Sequence, residues 1–183
     1  MAVLELTRDL AWNLLVISFA ITAAIGDVRW RKIPRAFTTA GLLVGLAFHL
    51  YRAGFQHAGW ADVGSSALAC FIGFAAGLAL FQLGAIGGGD VKLITALGAM
   101  LGLNRWLFAM EVAILAAAAL AIIQALRRGV LRQTVANMVD LIRWIFAHGA
   151  KAHPVVNVSN AAMMRAPFGV AAALGTVLAV IRP

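Results

Sequence analysis

The chain has 183 residues, 63% of them hydrophobic and only 12% charged, with a mean hydropathy of +0.92 and a net charge of +8. A soluble domain carries about 25% charged and about 45–50% apolar residues, so an ordinary soluble fold is excluded and residues 1–183 read as one integral membrane domain. The basic residues fall between apolar runs, not along one soluble face, which marks membrane-flanking charge and argues against nucleic acid as a partner.

Six transmembrane helices are predicted between the charges, at 10–26, 36–51, 63–86, 91–104, 106–126 and 166–181. The runs are continuous and lack two-residue alternation, so the fold class is all-α and not a barrel. Several runs are shorter than the roughly 20 residues a crossing needs, so flanking side chains snorkel or the bilayer thins. Glu5 and Asp9 precede the first run, and Arg29, Arg31, Lys32 and Arg35 follow it. That order predicts an uncleaved anchor with its N-terminus outside the cytosol. Alternation from there puts eleven of the 15 Lys and Arg residues on cytosolic connections and leaves Arg8, Arg52, Arg105 and Arg182 opposite.

Gly41 and Gly45, Gly73 and Gly77, and Gly98 and Gly102 are each four apart, a spacing that lets helices approach closely, within one chain or between two. Cys70 is the only cysteine, so it forms no internal disulfide and no multi-cysteine zinc site. Between the fifth and sixth spans, Leu131, Val135, Met138, Ile142 and Ile145 recur at helical spacing. They predict a cytosolic amphipathic helix over 130–147, lying in the membrane interface with Trp144 as an anchor. Residues 148–165 read as a loop. His148 and His153 have no third ligand there, so no metal and no other cofactor is expected.

Seven acidic residues remain to be placed. Glu5, Asp9 and Asp62 fall on the external side, and Asp140 on the amphipathic helix. Glu111, five residues into the fifth span, either pairs with Arg105 or faces a neighbour. Asp27 and Asp90 lie at cytosolic helix ends, at similar depth, and Asp90 closes the run Gly87-Gly88-Gly89-Asp90. Fourteen residues from Val91 to Asn104 span about 21 Å, against about 30 Å of hydrocarbon, so Asp90 is drawn inward or the membrane thins around it. Two close carboxylates share a proton near neutrality. The ionised one draws a proton from water while the other donates to a carbonyl oxygen, which is peptide hydrolysis without a covalent intermediate. The alternative is two juxtamembrane aspartates paired with Arg29 and Lys92.

Asp27-Val28-Arg29-Trp30-Arg31-Lys32-Ile33-Pro34 resembles the first sequence box of the type IV prepilin peptidases. Gly87-Gly88-Gly89-Asp90-Val91-Lys92-Leu93, followed by Ala96-Leu97-Gly98, resembles their GxGD box. Ala166-Pro167-Phe168-Gly169-Val170-Ala171 looks like the segment that opens their last helix. The resemblance implies an aspartic endopeptidase of the bacterial inner membrane with Asp27 and Asp90 as its dyad, cutting pilin-like precursors after a glycine at the cytosolic face. The short form looks most like the peptidases of Flp/Tad pilus systems. It also implies that Gly87 and Gly89 leave room beside Asp90, with Gly88 part of the motif. Lys92, Arg29 and Lys32 tune the dyad, hold acidic parts of the substrate, or only snorkel. Pro34 stiffens the entry to the second helix.

Arg35 stands where many relatives have asparagine. The cysteine-bearing insert associated with N-methylation in longer relatives is absent, so methyltransferase activity is not expected. Two other readings use the same aspartates. A presenilin-type intramembrane protease shares the short motif, but no Pro-Ala-Leu motif is present. A cation carrier would hold its ion on the carboxylates, although these sit at helix ends and not at mid-membrane. The oligomeric state is left open.

Overall fold

The computed structural model describes residues 2–30, 33–55, 60–149, 151, 154 and 167–182. Its regular structure there is entirely helical: α1 (Ala2–Trp30), α2 (Arg35–Phe55), α3 (Trp60–Gln82), α4 (Gly88–Leu101), α5 (Leu103–Arg127), α6 (Leu131–His148) and α7 (Phe168–Ile181). Three stretches are long and apolar enough to cross a membrane: Asp9–Trp30 within α1, all of α3 and all of α5. α7 is a shorter apolar helix. Large apolar side chains face outward from these helices, among them Leu14, Phe71, Phe74, Ile114 and Leu115.

Helix ends differ from the sequence expectation at several places, and those nearest the two aspartates have local reasons. α1 runs past Asp27 to Trp30, because a charge at a helix end need not stop the helix. α3 stops at Gln82, short of Ile86. Gly84 takes φ +72, and the N–H groups of Gly84 and Ala85 donate to the carbonyls of Phe81 and Leu80, closing the helix end. α4 starts at Gly88 with Gly87 as its N-cap and ends at Leu101. Gly102 at φ +70 then breaks the chain and starts α5, so Asn104 belongs to α5. Asp90 therefore sits inside the first turn of α4, not ahead of it.

Packing divides the helices into two triplets. α4 packs on α2 and α3, and α7 packs on α1 and α5. The triplets meet through α3–α5, α4–α5, α1–α4 and α4–α7 contacts and through ring stacks of Trp12 on Phe48 and Phe19 on Phe37 between α1 and α2. Close approach is built from small residues. A side chain at Gly45 would come within 2.7 Å of the Ala99 backbone, and one at Gly98 within 2.7 Å of the Ala69 carbonyl oxygen. Ser66 Oγ donates to the Ala99 carbonyl at 2.6 Å and Trp106 Nε1 to that of Ile94 at 3.1 Å, tying α3 and α5 to α4. The spaced glycines of α2, α3 and α4 thus serve packing within the chain. Every residue of α4 from Val91 to Leu101 is buried except Lys92. The shortness of α4 thus goes with enclosure by its neighbours.

α6 has no buried residue. Val135, Met138, Ile142 and Phe146 form its exposed apolar stripe. Trp144 is engaged within the chain: its ring stacks on His148 with centroids 3.8 Å apart, and its Nε1 donates to the Lys151 carbonyl at 3.1 Å. Arg105 donates to Asn13 Oδ1 at 3.3 Å, across to α1, while Glu111 is exposed. His153, Arg165 and most of the 148–165 loop lie outside the described residues.

Candidate active site

Asp27 and Asp90 come from different triplets, α1 and α4, and each is held by a backbone N–H at the start of a helix. Asp90 is the third residue of α4. Its Oδ2 accepts from the Gly87 N–H at 3.1 Å, satisfying the N-cap donor that a helix start otherwise leaves open. Asp27 Oδ2 accepts from the Gly169 N–H at 2.8 Å, in the first turn of α7 and 142 residues away in sequence. Carboxylate oxygens at helix N-termini are favoured by the exposed N–H groups and the helix dipole.

Asp90 lies within reach of the Asp27 charge. Burial pushes the Asp90 carboxyl up to about 6, the Gly87 N–H works against that rise, and the nearby Asp27 charge adds to it. Asp90 thus keeps its proton to higher pH than an ordinary carboxyl, with a second carboxylate beside it. Such a pair can hold one proton between two oxygen-rich groups at near-neutral pH.

The glycine run has no structural need of its own. Gly84, Gly102, Gly129 and Gly149 are the described glycines at positive φ, so Gly87, Gly88 and Gly89 adopt backbone angles open to other residues. A side chain at Gly88 would meet Phe81 at 3.7 Å and one at Gly89 would meet Ile33 at 3.9 Å, both ordinary contacts. A side chain at Gly87 would touch Asp90 Oδ2 itself at 3.4 Å, so folding tolerates side chains along the run and only the one at Gly87 would crowd the carboxylate.

The other residues singled out in the sequence are spread around this pair. Lys92 and Arg29 are exposed, and the Arg29 guanidinium lies 5.7 Å from the Trp30 ring. The Pro34 carbonyl accepts from the Thr38 N–H at 3.4 Å at the start of α2. Lys32 lies outside the described residues. Among the described residues the ion pairs link His49, Arg52, Asp9 and Asp62, and neither Asp27 nor Asp90 takes part.

Sequence reasoning quoted Gly169 within the Ala166–Ala171 segment but gave it no role at the site. Its signal was present: Pro167 opens α7, and a glycine two residues on allows close approach. A side chain there would lie 2.9 Å from Asp27 Cβ and 3.0 Å from Oδ2.

A model of the type IV leader peptidase family matches residues 14–122. No curated protein and no solved structure matches the chain. The matched stretch runs from within α1 to within α5, so it includes both aspartates and the glycine run but ends before α7. It covers more than half of the chain, which therefore belongs to the type IV leader peptidase family.

Proposed function

We propose that the protein is a membrane-embedded aspartic endopeptidase that removes the short basic leader of Flp-like prepilins at the cytosolic face of the bacterial inner membrane. Asp27 and Asp90 are its catalytic dyad. The observation that carries this reading is the pair itself: two carboxylates from separate helix triplets, electrostatically coupled, each pinned by a helix-start N–H.

Asp90 carries the shared proton, because burial disfavours its charge. Asp27, held by the Gly169 N–H, acts as the base on a water molecule. Attack of that water on the scissile carbonyl, with Asp90 donating to the carbonyl oxygen, gives a tetrahedral intermediate. The proton taken by Asp27 then goes to the departing amine. Asp90 recovers its proton from a hydroxyl of the intermediate as the C–N bond breaks and the carboxylic acid forms, so both carboxyls return to their starting states and no external acid is consumed.

The open backbone at Gly87–Gly89 would admit an extended substrate chain beside Asp90, as a glycine-ended leader requires. Lys92, Arg29 and Lys32 are assigned to the basic cytosolic rim, where they hold acidic parts of the substrate. In this reading α2, α4 and α7 join α1, α3 and α5 to make six spans, with the N-terminus outside the cytosol. α6 lies in the cytosolic interface on its apolar stripe.

The test is cleavage of a purified precursor with a glycine-ended basic leader, by wild type and by Asp27→Asn and Asp90→Asn. Wild type is expected to cut and both variants to be inert while remaining folded in detergent. Full cleavage by either variant would overturn the dyad.

A further inference from the structure

At the end of the helix assembly away from the aspartates lies a polar cavity of about 330 Å³, walled by the ends of α1 to α5. Met100 on its wall is ten residues along α4 from Asp90, about 15 Å at the helical rise. The cavity is thus a separate place from the dyad, and the peptidase chemistry makes no use of it.

Its lining gathers two carboxylates, Asp9 and Asp62, and two guanidiniums, Arg52 and Arg105, around the indole of Trp12. These charges do not neutralise one another by direct hydrogen bonds. Arg52 Nη1 stands 4.0 Å from Asp9 Oδ1, and its Nε stands 3.7 Å from Asp62 Oδ2. Both distances exceed the roughly 3.2 Å limit of a good N–H···O bond. Arg52 Nε and Asp9 Oδ1 have no hydrogen-bond partner among the described residues, while the two side chains keep 31% and 50% of their surface exposed, so both charges remain available to a ligand. Arg105 spends one donor on the neutral Asn13. His49 is buried and fixes the rest: its Nδ1 lies 3.0 Å from Asp62 Oδ2 and its Nε2 3.4 Å from the Met100 carbonyl oxygen.

We propose that this cavity binds the phosphoethanolamine headgroup of a membrane lipid. A ligand carrying one anion and one cation matches a site with two of each. The phosphate suits the guanidinium forks of Arg52 and Arg105, and the ammonium, with three donors, suits the carboxylates of Asp9 and Asp62. The lipid tails have a surface to follow. Leu10 and Leu14 are exposed along α1, and Trp60 is 75% exposed at the start of α3, where an aromatic ring marks headgroup depth. A choline headgroup has no N–H to give the carboxylates, and a glycerol headgroup has no cation.

Native mass spectrometry of the full-length protein in detergent, offered equal amounts of phosphatidylethanolamine, phosphatidylcholine and phosphatidylglycerol, tests this. Wild type is expected to retain one ethanolamine lipid about tenfold better than either other lipid, the worth of one charge-assisted hydrogen bond. Arg52→Gln and Asp62→Asn should each lower that retention about tenfold. The comparison of lipids on wild type needs no substitution, so a variant that fails to fold leaves the test intact. Equal retention of the three lipids, or variants that retain ethanolamine lipid like wild type, would overturn the proposal. Free phosphoethanolamine that displaces the lipid at equal concentration would uphold the headgroup chemistry and make a soluble molecule an equal source.

Discussion

Replacing Gly169 by alanine changes one methyl group and tests the least expected part of the site. The added Cβ would stand 2.9 Å from Asp27 Cβ, 3.0 Å from Asp27 Oδ2 and 3.3 Å from Ala24 Cα. Carbon atoms pack at about 3.5–4.0 Å, so the start of α7 and α1 must part by roughly 0.5–1 Å. The Gly169 N–H to Asp27 bond, now 2.8 Å, would stretch beyond useful length. Overpacking of this size costs about 1–3 kcal/mol in stability, and a misplacement of about 1 Å at a reacting group costs about 100-fold in rate. Activity is therefore expected to fall far more than folding does.

The assay is kcat and KM for cleavage of a leader-bearing precursor in detergent micelles, beside the thermal midpoint of the same preparations. Gly88→Ala is the folding comparison, since its Cβ would meet Phe81 at an ordinary 3.7 Å. A kcat reduced about 100-fold, with KM little changed and a midpoint lowered by only a few degrees, fits the reasoning. A Gly169→Ala protein with near-native kcat would refute it. Asp27 would then not depend on α7 for its position.

Asp90→Asn should abolish cleavage yet keep its bond to the Gly87 N–H through the amide oxygen, so the helix start survives and circular dichroism should match wild type. Asp90 keeps its proton to about 6, above the usual 3.8, so the folded state binds more protons across that window. Its stability falls as pH rises from about 4 to 6 and stays lower above, by about 1–3 kcal/mol. Midpoints across pH 4–8 should show that slope in wild type and lose it in Asp90→Asn. Cleavage that needs the Asp90 proton should decline as pH rises past about 6, and Asp27→Asn should lower the Asp90 titration seen by infrared spectroscopy, because the added charge is gone. Gly88→Ala and Gly89→Ala should leave the stability within about 0.5 kcal/mol of wild type but raise KM, as expected if substrate backbone occupies that space. Gly98→Ala, pressing on the Ala69 carbonyl at 2.7 Å, should instead lower the stability by about 1–3 kcal/mol and leave KM unchanged.

Much of the fold was legible because charge and apolar length are strong signals in a membrane chain. The runs around α1, α3 and α5 announced themselves, and the period of Leu131, Val135, Met138 and Ile142 gave α6 within a residue at each end. The errors came where the backbone, not the composition, decides. Charge counting carried the third helix on to Ile86 and the fourth to Asn104, but φ values of +72 at Gly84 and +70 at Gly102 end those helices earlier. A glycine in a run rich in glycine does not say which of its neighbours will turn. The enclosure of α4 was equally hidden. Its sequence looks like a short span, and only the structure shows α2 and α3 packed around it.

The two aspartates differ in a way that explains what could be read in advance. Asp90 is restrained by Gly87, three residues back, so its partner and its helix start lie in one short motif. Asp27 is restrained by Gly169, 142 residues on, and no local pattern joins them. The site therefore depends on the docking of α7 against α1, which brings a helix start to a carboxylate that α1 alone leaves unsupported. α1 belongs with α7 and α5, and α4 with α2 and α3. Each carboxylate is thus fixed within its own triplet, and their separation is set by how the triplets meet. A small sliding of one triplet on the other would change the spacing of the pair without breaking either hydrogen bond. If Asp27 and Asp90 are the dyad proposed above, substrate bound at that junction would tighten the pair by this route, with each carboxylate keeping its own backbone hydrogen bond.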